Sequence, residues 1–241
     1  MRKVIVIDDT YLYGKYGGML LCVVAQNTEN HIYPFAFYDV YKENDDSWTS
    51  FFEKLKTIVD DDPYLCVISN KHISIANAFS RVYSHAHHGL CMRHLCENLR
   101  VNQYYEDYLA LFYYAAKAYY LNEFSEIFTK FKDKCPKVAH IFENVVGFEK
   151  WSRAYFSGNR YNVMTTNIAK SVNSLLMKKR KYPVSYIFNS ISKKFDEKFK
   201  ERHAHVGNSN KKLGPYVKKI LRDNKRENDF LYVTNANGDL D

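Results

Sequence analysis

The chain has 241 residues, 46% of them hydrophobic and 16% aromatic, enough to bury a real core in one domain or in one domain with an insertion. With 35 Lys plus Arg against 27 Asp plus Glu, the formal net charge of +8 fits an anionic partner, without choosing between nucleic acid, a membrane surface and no partner at all. Five cysteines, an odd number, widely spaced and with no CxxC pair, argue against a disulfide framework and for a reducing compartment. No signal-peptide pattern opens the chain and no apolar run approaches the ~20 residues that span a bilayer, so the expectation is a soluble, intracellular protein. A core strand at the very start, "MRKVIVID", reads as a piece of something longer.

The first hundred residues punctuate themselves. "VIVIDDTYL" (4–12), "GMLLCVVAQN" (18–27) and "HIYPFAFYDVY" (31–41) are short, apolar and β-branched or aromatic, and the turn-like "YGKYGG" and "NTEN" separate them. They predict three strands joined by hairpins. Asp45, Asp46 and Ser47 offer a cap for a helix in which Trp48, Phe51, Phe52, Leu55 and Ile58 share one face. "YLCVISN" (64–70) reads as a fourth, central strand. "SIANAFSRVY" reads as a helix, "HHGLC" as a short fifth strand and "MRHLCENLR" as the start of another helix. The predicted order is βββαβαβα.

From about residue 103 the texture becomes helical and aromatic-rich through "KVAHIFENVV". Helices follow over "TTNIAKSVNSLLMKK" and "PVSYIFNSISKKFDEKFKERH", with Pro183 suited to a first turn, and "FLYVT" near the end is the one later strand candidate. The expected division is residues 1–102 as the first part of a core, 103–160 as a helical insertion, and 161–241 as the last core helix and basic C-terminal helices. Residues 150–227 hold about 20 basic and 5 acidic side chains, whereas residues 1–149 are mildly acidic. Any single run, such as Lys178, Lys179, Arg180 and Lys181, reads as a solvated face. A whole third of the chain so biased points to a polyanion, most simply DNA phosphates.

Three hairpin strands, a helix and two further strands is the order of the RNase H-like fold, in which strand-end carboxylates and a late helical acid hold two divalent metals. Such ions want hard oxygen ligands and neutralising charge. "IDDTYLYGKYGGMLLCVVAQNTENHIYPFAF", "ENDDSWTSFFEKL", "CVISNKHISI", "HAHHGLCMRHLCENL", "KWSRAYFSGNRYNVMTTNIAKSVNSLL" and "LGPYVKKIL" together resemble, in order, the transposase domain of plant Mutator-like elements. The resemblance implies an RNase H-like core with an all-helical insertion and a basic helical C-terminal portion, cut-and-paste DNA transposition, nuclear location, and further DNA-binding and zinc-binding modules not read in this sequence. Carried over by position, the first acid is Asp8, with Asp9 in a small-residue place; the second position is Asn70 and the third Lys170. Asn70 offers no charge, and an ammonium at Lys170 repels divalent cations and opposes the helix dipole. On a helical wheel the apolar stripe is Ile168, Val172, Leu175 and Leu176, with Lys170 on the far side.

The expectation is a transposase-derived protein, catalytically inactive, binding DNA and no Mg or Mn ion, as a domesticated regulator or an element remnant. The rivals are an active transposase with a displaced acid and an interaction module unrelated to DNA. For the displaced acid, Asp9 is expected on the opposite sheet face, and Asp39 and Glu97 have no supporting spacing. His85, His87, His88, Cys91 and His94 crowd like a zinc site but lack a second ligand pair. The resemblance instead assigns Cys91 and His94 to a Cys-x-x-His motif beside the fifth strand, with core packing as the alternative for Cys91. "RAYFSGNRYNVMTTN" interleaves Arg153 and Arg160 with aromatics, a pattern that stacks bases and holds phosphates, or packs as an ordinary loop. Thr165 and Thr166 read as helix caps, and "LFYYAAKAYY" as core of the insertion.

Overall fold

A computed structural model describes residues 3–15, 17–27, 30–97, 105–206 and 222. Strands β1 (Val4–Tyr11), β2 (Met19–Gln26) and β3 (Ile32–Val40) form an antiparallel meander. β4 (Cys66–Ser69) and β5 (His87–Leu90) add in parallel on the far side of β1, giving the order β3-β2-β1-β4-β5. The tight turn into β2 requires glycine: Gly18 has φ +98°, and a Cβ there would stand 2.8 Å from the Val40 carbonyl oxygen. Helices α1 (Asp45–Lys56), α2 (Ile73–Val82) and α3 (Met92–Glu97) complete the expected βββαβαβα order.

Side chains alternate along a strand, so the buried strands face two cores. Ile5, Ile7, Leu21 and Val23 pack against Trp48, Phe51 and Phe52 of α1 and Ile75 and Phe79 of α2. Val4, Val6, Leu20 and Cys22 pack against Val172 of α8 (Asn167–Leu175) and Ile187, Ile191 and Phe195 of α9 (Val184–Val206). At the outer strand, Pro34 pairs with Val24 at a register shift, which interrupts the β2–β3 ladder.

Between α3 and α8 lie α4 (Tyr105–Lys117), α5 (Leu121–Lys134), α6 (Pro136–His140), a π-helical turn (Ile141–Val146) and α7 (Phe148–Trp151). They close a third core of phenylalanines around Trp151, with the Phe112 ring stacked on it at 4.8 Å. Phe112, Ala115 and Ala116 fill that core as expected, but Tyr114, Tyr119 and Tyr120 are exposed, because the wet phenol is the weaker core residue where phenylalanine is available.

Local details differ from expectation in identifiable ways. The α1 cap is Asn44, whose Oδ1 accepts from the Ser47 N–H at 2.8 Å. Ile58 lies past the end of that helix and is 59% exposed. α8 stops at Leu175, because the Leu176 carbonyl accepts from both Lys179 and Arg180 and turns the chain. The Arg180 carbonyl then accepts from the Tyr13 N–H at 2.8 Å, docking "KKRK" on the β1–β2 hairpin. Pro183 stands immediately before α9, its carbonyl accepting from Ile187. The "FLYVT" strand and the basic runs at 211–212, 218–219 and 225–226 lie outside the described residues. Among the described residues no helix is long and apolar enough to cross a membrane.

Candidate functional site

β4 ends at Ser69 while its neighbour β1 continues, and the parallel register Val6↔Ile68 carried two residues on sets Asp8 beside Asn70. The sheet splits there into a cleft of about 840 Å³, in the place where open α/β sheets put their ligands. Asp8, Asn70 and Lys170 all line it, so the three positions aligned on sequence grounds meet in space. The fold delivers the first from β1, the second from the β4–α2 turn and the third from the first turn of α8.

Asp8 is only 9% exposed. Burial, then the charge of Asp9, pushes its carboxyl up to about 6. Its Oδ2 accepts from the Asn173 Nδ2 at 3.4 Å, and the same amide donates to the Asp9 carbonyl at 3.2 Å. Asn173 was not singled out from the sequence: a polar residue in a helix reads as solvated. It is 4% exposed, three residues after Lys170 and therefore on the same side of α8, and that spacing is the signal that could have found it. The buried stripe of α8 is Ala169, Val172 and Asn173, with Leu176 just past its end; Ile168 is half-buried and Leu175 exposed. Lys170 sits at the border of that stripe, exposed, with the cleft as its surroundings.

Asp9 pairs with Leu21 and belongs to the opposite strand face, yet its carboxylate reaches the cleft because the sheet ends beside it. Its Oδ1 accepts from the Asn70 Nδ2 at 3.2 Å. Burial, then the charge of Glu43, raises its carboxyl. The Asn70 Oδ1 meanwhile accepts from the His72 N–H at 2.8 Å, so both ends of that amide are engaged. Glu97 also lines the cleft, 3.6 Å from Arg93, whereas Asp39 is exposed on the outer strand and is absent from the lining.

Cys91 is buried at the end of β5, where its sulfur accepts from the Thr166 N–H at 3.3 Å and from its hydroxyl at 3.7 Å. Burial pushes the thiol up, but hydrogen bonding and charge from His94 outweigh it and bring it down to about 7. The bond to Cys91 correspondingly raises His94 against the effect of burial, with Cys91 and Asp8 charges adding. The pair thus ties α3 to the start of α8 and presents His94 to the cleft. Thr166 therefore gives α8 no side-chain cap, while the Thr165 hydroxyl accepts from the Asn167 N–H at 3.4 Å.

The other histidines disperse. His85 pairs with Asp61, His87 with the Ser157 hydroxyl at 2.9 Å, and His88 is stacked on Phe79 with burial pushing it down to about 3. Among the described residues no group of three or more His, Cys, Asp or Glu is placed to hold a metal ion.

Arg160 does not face a ligand. It is 2% exposed, and its guanidinium donates to the carbonyls of Leu90 at 2.8 Å and Trp151 at 3.1 Å. Its expected DNA contact is thereby corrected: it bridges β5 to α7, and burial lowers it to about 10. Arg153 is half-buried, 4.3 Å over the Tyr119 ring and bonded to Asn162. Lys178 and Lys181 are exposed on the turn after α8, Lys179 is half-buried there, and Arg180 turns into the cleft with Arg93 and Lys71.

Comparison with known proteins gives a family match and distant structural likenesses. Residues 4–98 match the family model of the MULE transposase domain. No curated protein matches the chain. A chain of the structure described as the cryo-EM structure of simian T-cell lymphotropic virus intasome in complex with PP2A regulatory subunit B56 gamma aligns at 9% identity and a TM-score of 0.28. The alignment covers 66% of this chain and 57% of that one, a likeness too slight to carry an argument. The split sheet and its strand-end Asp8 lie within residues 4–98, the stretch that is similar to the MULE transposase domain.

Proposed function

We propose that this is a transposase-derived protein of the plant Mutator-like class whose RNase H-like core no longer carries out metal-dependent strand transfer and which retains DNA binding in the nucleus, as a domesticated regulator or an element remnant. One observation carries the reading: Asn70 and Lys170 line the same cleft as Asp8. Two divalent ions about 4 Å apart need several carboxylates between them. This cleft offers Asp8, already bonded to Asn173, Asp9, already bonded to Asn70, and Glu97, already paired with Arg93, with the Lys170 ammonium in the same lining. The donor set does not fit the metal pair. Arg153 and the turn bearing Lys178, Lys179, Arg180 and Lys181, together with the basic bias of the last third of the sequence, support DNA as the partner.

Asp9 and Glu97 favour one rival, because two further carboxylates do reach the cleft. The two readings part in a nicking assay on supercoiled DNA with Mg²⁺ or Mn²⁺. The inactive reading expects no cleavage by the natural chain, and cleavage abolished by Asp8→Ala would overturn it. Restoring both acids, Asn70→Asp with Lys170→Glu, is expected to create a Mn²⁺-dependent rise in melting temperature that the natural chain lacks.

A further inference from the structure

Resting on the DNA-binding reading above, we propose that the cleft itself is a metal-free seat for a DNA backbone phosphate, held by Lys170 and Arg180. Four fixed cations line it, Lys71, Arg93, Lys170 and Arg180, against three carboxylates, Asp8, Asp9 and Glu97. Acids at positions 70 and 170 would make that three cations against five carboxylates. The two departures thus reverse the sign of the cleft, from one that attracts metal cations to one that attracts the phosphate those cations would have carried.

The remaining carboxylates are turned to other partners. Asp8 is buried under Asn173, Asp9 is bonded to Asn70, and Glu97 lies against Arg93. The cations are less engaged. Lys170 is exposed at the cleft, and Arg180, half-buried in its lining, has one terminal nitrogen donating to the Asn173 carbonyl at 3.4 Å. Lys170 also stands in the first turn of a nine-residue helix whose cap side chain faces Cys91 instead of the helix N–H groups. A cation at the positive end of a helix and near Arg180 is electrostatically misplaced on its own. An anion between them reverses that penalty, and the first-turn dipole then adds to the attraction. The volume of about 840 Å³ is ample for a phosphodiester unit, and Lys178, Lys179 and Lys181 lie on the same turn as Arg180, outside the lining of the cleft.

The test is fluorescence anisotropy of the full chain with a labelled duplex in EDTA over a salt series. Lys170→Glu is expected to weaken binding about tenfold near 0.1 M salt and to reduce the slope of log affinity against log salt by about 1. Lys170→Arg retains the natural slope, and so does Lys130→Glu on the remote face of α5. The doubly restored Asn70→Asp/Lys170→Glu chain binds at least as weakly as Lys170→Glu in EDTA. Lys170→Gln, which only removes the charge, is the check should the Glu variant unfold. Natural affinity and slope in both Lys170→Glu and Lys170→Gln would overturn the seat. If Lys178→Glu/Lys179→Glu/Lys181→Glu then abolishes binding, DNA binding stands and the seat alone is refuted. If the natural chain binds no duplex, both readings fall.

Discussion

Asn70→Asp alone puts the electrostatics of the cleft on trial. The Asn70 Nδ2 lies 3.2 Å from the Asp9 Oδ1, and the substitution exchanges that donor for a carboxylate oxygen. Two full charges at such a distance repel by about 5 kcal/mol at an effective dielectric of ~20. Rotation of the side chains and entry of water reduce this to about 1–3 kcal/mol, including the lost hydrogen bond. Asp9 is already raised by burial and Glu43, and a carboxylate at position 70 raises it further. A carboxyl held higher in the folded than in the unfolded chain takes up protons on folding. The penalty is therefore absent below the unfolded value near ~4 and grows as pH rises through the elevated folded value. Urea unfolding of the natural and Asn70→Asp chains between pH 3.5 and pH 8 reads the difference directly. Equal stability at pH 8, or a deficit that does not shrink towards pH 4, would refute the placement of Asn70 against Asp9.

Asp8→Asn has the opposite sign. With the carboxyl pushed to about 6, neutralisation is expected to stabilise the fold by up to about 3 kcal/mol at pH 8 and by nothing below pH 4, measured by the same unfolding series. Cys91→Ala removes the sulfur that raises His94, so the His94 titration followed by NMR is expected to move down in pH, with a loss of about 1–2 kcal/mol in stability. Arg160→Met is expected to cost about 2–4 kcal/mol by orphaning the Leu90 and Trp151 carbonyls, yet to leave the salt slope of DNA binding unchanged in folded protein. A slope lowered by about 1 would return Arg160 to the DNA surface.

The first four strands were legible because each is an apolar run, β-branched or aromatic, between turn residues, and the first three follow one another at hairpin lengths; β5, His87–Leu90, is short and lacks that signature. What escaped depended on contacts distant in sequence. "MKKR" has good helix formers, but nothing local says that the Arg180 carbonyl will be taken by Tyr13. Strand alternation placed Asp9 on the correct face, yet face assignment is a poor guide where a neighbouring strand stops and a carboxylate reaches around the end. Arg160 illustrates the reverse error: interleaved Arg and aromatic residues describe a nucleic-acid surface and a buried strut equally well, and only the carbonyls of Leu90 and Trp151 decide between them. Asn173 needed the helix phase and the partner strand together.

The interruption at Pro34 has a consequence for solubility. A five-stranded sheet exposes two borders to recruitment by other chains. On one side Phe156 and Arg160 crowd over Gly89 of β5, with Gly89 leaving room for them. On the other, β3 carries Pro34 at a register shift against β2, so an incoming strand would meet an edge already out of step. Replacing Pro34 with a β-branched residue would favour a regular edge and invite edge-to-edge association.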